Sequence, residues 1–109
     1  MDQPPATVTA EAVREALHDV IDPELGFNIV DLGLIYQIGI EGGIVDVAMT
    51  MTTPGCPAEG YIVSAVEQRA ADIPGVSGIF VNVVWTPPWS PQRMSPLAKA
   101  HFQIREDAE

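Results

Sequence analysis

A chain of 109 residues, 47% hydrophobic and 18% charged, fits one folded domain and excludes a multidomain enzyme or a disordered segment. Five Lys and Arg against fifteen Asp and Glu give a net charge of −10, which leaves no basic surface for phosphates. Nucleic acids and anionic membranes are thereby excluded as partners.

The acidity is uneven. Residues 1–72 hold twelve acids and two bases, residues 73–92 hold no charge, and residues 93–109 hold three of each sign. The uncharged stretch has the length of a membrane span, but Pro74, Gly75, Gly78, Pro87, Pro88 and Pro91 interrupt it, so it reads as a core strand followed by a proline loop. The start, Met1-Asp2-Gln3-Pro4-Pro5, has neither a basic segment nor an apolar run. With a lone cysteine that forms no internal disulfide, this leads us to expect a cytoplasmic protein.

In chain order, Thr9 caps a first helix whose apolar stripe runs Val13, Ala16, Leu17, Val20, Ile21. A loop through Pro23, Gly26, Asn28 and Asp31 ends at Gly33, and alternation from Leu34 to Glu41 predicts a strand. Gly42-Gly43 supplies a two-residue hairpin turn into a second alternating run, Val45, Val47, Met49, Met51. After Thr52-Thr53-Pro54-Gly55-Cys56-Pro57, apolar residues at Ile62, Ala65, Val66, Ala70 and Ile73 predict a second helix ending at Pro74-Gly75. Residues 78–86 are β-branched and aromatic, as expected of a strand buried on both faces or in mid-sheet. Pro87 to Pro91 is extended, and Ser95-Pro96 starts a short helix near Leu97 to Phe102. The expected fold is a small α/β (α+β) domain, α-β-β-α-β with a short C-terminal helix, its three-stranded mixed sheet packed on helices. The domain is expected over residues 9–102, with tails at 1–8 and 103–109.

Three places carry chemistry. Cys56, between Gly55 and Pro57, is expected at or next to a helix start, where unsatisfied N–H groups and the helix dipole favour a thiolate. Such a thiol serves as a nucleophile or a soft-metal ligand, provided solvent reaches it; the competing reading is a small inert core residue. Asp22 and Glu24 in Asp22-Pro23-Glu24-Leu25 offer paired carboxylates for a metal or a proton, or they begin a helix, with Asp22 as its cap. Asp31 caps a turn or joins a site. Thr52 and Thr53 either bond the loop backbone or position what Cys56 holds. His18 and His101 form no zinc spacing with Cys56, and a cluster needs about four thiolates where the chain has one, so other ligands must come from outside it. Trp85, Pro88 and Trp89 beside Arg93 are either a stiff cover over one core edge or a partner-binding surface, with Lys99 adding to a cationic edge.

The run from Asp22 to Tyr36 (DPELGFNIVDLGLIY), the run from Thr52 to Pro57 (TTPGCP) and the run from Pro87 to Ser95 (PPWSPQRMS) resemble, in order, the three signatures of the stand-alone metal-sulfur cluster assembly family, which includes SufT-like and PaaD-like proteins. The resemblance spans residues 9–102. It implies an α/β domain in which Asp22 and Glu24 meet Thr52, Thr53 and Cys56, with Cys56 as the functional thiol in maturation of iron-sulfur proteins. The PaaD-like branch carries a cysteine-bearing tail that this chain lacks, so the SufT-like form is the better fit.

The resulting expectation is an accessory factor in iron-sulfur cluster assembly or transfer, a carrier more than an enzyme. No cofactor is permanently bound; a transient iron-sulfur cluster is shared between chains through Cys56, as in a homodimer. Its partners are the assembly machinery and client apo-proteins. The competing readings are an adaptor using the Trp-Pro segment and a cysteine-dependent enzyme in which Asp22 or Glu24 moves protons.

Overall fold

Thr9 begins the first helix by accepting a hydrogen bond from Ala12 N at its Oγ1 (3.0 Å), in a computed structural model that describes residues 8–104. Of the tails expected at 1–8 and 103–109, residues 1–7 and 105–109 lie outside the described residues, whereas Val8 is buried and Ile104 packs against the core. Helix α1 (Ala10–Leu17) buries Val13, Ala16 and Leu17. The helix stops before the expected stripe is complete. Val20 is buried beyond its end, whereas Ile21 stands 42% exposed in a strand.

That strand, β1 (Ile21–Asp22), pairs antiparallel with β2 (Phe27–Asn28), Ile21 opposite Asn28 and Asp22 opposite Phe27. The segment expected as a loop or helix start is therefore a small hairpin. Strand β3 (Ile35–Glu41) turns through Gly42 and Gly43 into β4 (Ile44–Met49), and the two glycines take φ of +59° and +90°, the paired positive values of a tight hairpin turn. Their register runs from Glu41 opposite Ile44 to Ile35 opposite Met49, with an irregularity between Ile35 and Gln37. Helix α2 (Glu59–Ala71) crosses over to β5 (Gly78–Val83), which lies parallel to β4, so the sheet is mixed and ordered β3-β4-β5.

Strand β5 corrects an expectation, since it is an edge and β4 is the centre. None of its residues is fully buried, and Phe80 is 58% exposed. A run of β-branched residues reports strand formation, not the strand's place in the sheet. One sheet face carries Val45, Val47 and Met49 into the core with Val13 and Leu17 of α1 and Ile62 and Val66 of α2. The other face leaves Gln37, Gly39, Asp46 and Asn82 exposed.

After β5 the chain passes a cis Thr86-Pro87 bond and a 3-10 turn at Pro91–Arg93 into α3 (Pro96–Phe102), whose cap Ser95 accepts from Ala98 N at 3.2 Å. Phe27 touches the rings of His101 and Phe102 at 4.8 and 5.6 Å, seating α3 on the hairpin. Among the described residues no helix is long and apolar enough to cross a membrane.

Candidate functional site

Three chain segments meet at one end of the sheet. Thr50 N donates to Leu34 O and Val84 N to Met49 O, both at 2.8 Å, so the exit of β4 lies between the entry of β3 and the exit of β5. The Cys56 loop leaves from this point. Thr50 and Met51 are buried, Thr52 is half-buried, and Thr53, Pro54 and Gly55 are exposed. Gly55 takes φ +71°, and a Cβ there would meet nothing within 4 Å, so glycine answers a conformational demand and not a lack of space. The chain then returns inward, leaving Cys56 only 8% exposed at the margin of the core, with exposed neighbours on both sides.

Cys56 stands next to the helix start and is not its cap. Cys56 lies two residues before the N-cap of α2, which is Ala58 and gives no side-chain cap. Glu59 N donates to Cys56 O at 3.0 Å in a tight turn, and the α-helical pattern begins with Ile62 N to Ala58 O at 2.9 Å. The sulfur thus sits upstream of the helix and largely covered, not open on its mouth.

Asp22 is 2% exposed and structurally engaged. Its Oδ1 accepts from Glu24 N (2.8 Å) and Leu25 N (3.3 Å), while its carbonyl accepts from Gly26 N (2.7 Å), closing the β1–β2 turn. Asp22 caps this turn in place of a helix. Glu24 is exposed. The structure brings Thr52, Thr53 and Cys56 into one loop and Asp22 and Glu24 into one turn. Among the described residues no group of three or more His, Cys, Asp or Glu side chains is arranged to hold a metal ion.

The Trp-Pro segment lies over the motif that precedes β3. Trp89 Nε1 donates to Leu32 O at 2.8 Å, Tyr36 Oη donates to Pro87 O at 2.8 Å, and the Arg93 guanidinium stands 4.6 Å from the centre of the Tyr36 ring. Gly33, at φ +81°, lets the Arg93 backbone approach so closely that a Cβ would run into its carbonyl. Trp89 is half-buried, whereas Trp85, Pro88 and Arg93 are exposed. Trp89 therefore covers the stretch before β3.

Asp31 joins this anchor from below. Its Oδ2 accepts from Asn28 Nδ2 at 2.7 Å and lies 3.8 Å from His18 Nε2; its N–H donates to Asn28 Oδ1 at 2.8 Å, and its carbonyl accepts from Ser95 N at 2.8 Å. Burial pushes its carboxyl pKa up, but hydrogen bonds from Ser95 and Asn28 and the nearby His18 outweigh that and hold it below the ordinary value. Thr50 escaped the sequence reading: it is fully buried, and its Oγ1 has no hydrogen-bond partner. Its place in the alternation, out of phase with Val47 and Met49, is the only sequence signal that sets it apart.

A family model described as iron-sulfur cluster assembly protein matches residues 10–83, which include the hairpin, the Cys56 loop and the whole sheet. The chain belongs to that family. It is 44% identical over 96 residues to the Fe-S protein maturation auxiliary factor YitW of Bacillus subtilis, covering 87% of this chain and 94% of that one. It is 46% identical over 81 residues to the Fe-S protein maturation auxiliary factor SufT of Staphylococcus aureus, covering 73% and 92%. A crystal structure of a domain of unknown function from Bacillus anthracis superposes with a TM-score of 0.82 at 47% identity, covering 87% of this chain and 92% of that one. The segment from Trp85 to Ser95 lies outside the family-model match.

Proposed function

We propose that this protein is an accessory factor in iron-sulfur cluster assembly, a cytoplasmic carrier that takes up a cluster as cargo through Cys56 and passes it to client apo-proteins. The names of its relatives support the role, and one observation carries the detail. The only thiol of the chain lies in a loop between exposed residues, with no metal-holding group of side chains among the described residues, so the remaining ligands come from a second copy, a partner or small thiols. A single protein thiolate suits temporary holding. Cys56 gives its proton to solvent and replaces a donor ligand on iron, which departs with the donor, and it is displaced in turn when a client thiolate takes its place, with no net oxidation.

In this reading Asp22 shapes the hairpin, while exposed Glu24 offers an oxygen to the cargo or its donor. Thr52 and Thr53 hold the loop that must move outward to present the sulfur. Exposed Trp85, Pro88 and Arg93 favour a second reading, in which this end of the sheet serves as an adaptor surface for the assembly machinery.

Anaerobic cluster reconstitution followed by transfer to an apo-ferredoxin compares wild type with Cys56→Ser. Loading and transfer lost in the variant support the carrier reading. Equal loading and transfer by the two proteins remove Cys56 from the ligand role, and Trp85→Ala then tests the adaptor reading by loss of complex formation.

A further inference from the structure

The face formed by α1 and α2 holds two adjoining grooves, of about 260 and 540 Å³, that share Asp19, Arg69 and Asp72. The smaller is lined by Ile21 and Tyr61, two of the five large apolar side chains that stand exposed among the described residues, at 42% and 59%. The larger has Ala12, Ala16 and Ile73 along it, with Glu15 beside them. Between the two, Arg69 Nε donates to Asp19 Oδ2 at 2.9 Å, so the one cation among the described groove residues is already matched by a carboxylate, and Glu15 and Asp72 remain in excess.

Apolar lining with an acidic surplus selects the occupant. Another copy of this chain, at net charge −10, meets repulsion here, as does any anionic surface. We propose that the α1–α2 face is a docking groove for a basic amphipathic segment of a partner protein, whose apolar side chains cover Ile21 and Tyr61 while its Lys or Arg groups meet Asp72 and Glu15. This is the groove mode of recognition, in which apolar anchors supply affinity and rim charges supply selection.

The groove also borders the candidate site along the chain. Tyr61 lies in the first turn of the helix that follows the Cys56 loop, and Ile21 directly precedes Asp22. Its physiological meaning builds on the carrier reading, but its test contains no iron, so the two fail separately.

The test is an NMR titration of the full ¹⁵N-labelled chain with a synthetic helical peptide bearing leucine on one face and lysine on the other. Shift changes should cluster on residues lining the two grooves. Tyr61→Ala and Asp72→Lys should each weaken binding roughly tenfold, while Asp46→Lys on the open sheet face should change it by less than about twofold. Amide dispersion in the same spectra verifies that each variant is folded. Shifts centred on the sheet face, equal weakening by Asp46→Lys and Asp72→Lys, or no saturable binding would overturn the proposal.

Discussion

The indole N–H of Trp89 donates to the carbonyl of Leu32 over 2.8 Å, fastening the proline segment to the stretch that leads into β3. Trp89→Phe keeps most of the ring and removes only the donor, so it should cost about 1 kcal/mol, while Trp89→Ala should cost about 2 to 3. Urea unfolding of the two variants measures the difference. A Trp89→Phe protein as stable as wild type would mean that the hydrogen bond contributes nothing.

Gly33 and Gly55 share a positive φ but not a neighbourhood. Gly33→Ala forces a Cβ into the Arg93 carbonyl and should destabilise by more than about 2 kcal/mol, whereas Gly55→Ala meets open space and should cost only about 1. Thermal melts of both proteins order the two effects.

Asp31 makes stability depend on acid. Its folded pKa lies below the ordinary 3.8, so its contribution is present in full above that value and is lost as pH falls through the folded pKa. Asp31→Asn should flatten the acid limb of a stability–pH curve measured from pH 6 downward. An unchanged limb would assign the acid sensitivity to other carboxylates.

Asp22 separates a turn-forming role from a ligand role. Asp22→Asn keeps an oxygen for the N–H groups of Glu24 and Leu25 and should stay within about 0.5 kcal/mol of wild type, while Asp22→Ala should lose about 1 to 2. The Asn variant should also load cargo like wild type. Loading that collapses in a stable Asp22→Asn protein would give its charge a direct part in the site.

Much of the fold was legible in the sequence because local chemistry dictates it. Thr9 and Ser95 cap helices where expected, and Gly42-Gly43 turns the β3–β4 hairpin. The β1–β2 hairpin was not legible, because two-residue strands leave no alternation to read and an aspartate before proline caps a turn as readily as a helix. The edge position of β5 was hidden for another reason: parallel pairing is decided by the distant partner β4. At the candidate site the Cys56 loop was visible by its residues, but its burial was not. The left-handed turn at Gly55 and the tight turn from Cys56 to Glu59 carry the side chain back toward the core, and neither leaves a periodic mark.

The sharpest measurement follows Cys56 alkylation by N-ethylmaleimide, read by mass spectrometry before and after anaerobic cluster loading. If its sulfur holds the cargo, loading should slow alkylation strongly, and iron chelation should restore the original rate. Identical rates in loaded and unloaded protein would contradict a carrier that works through this thiol.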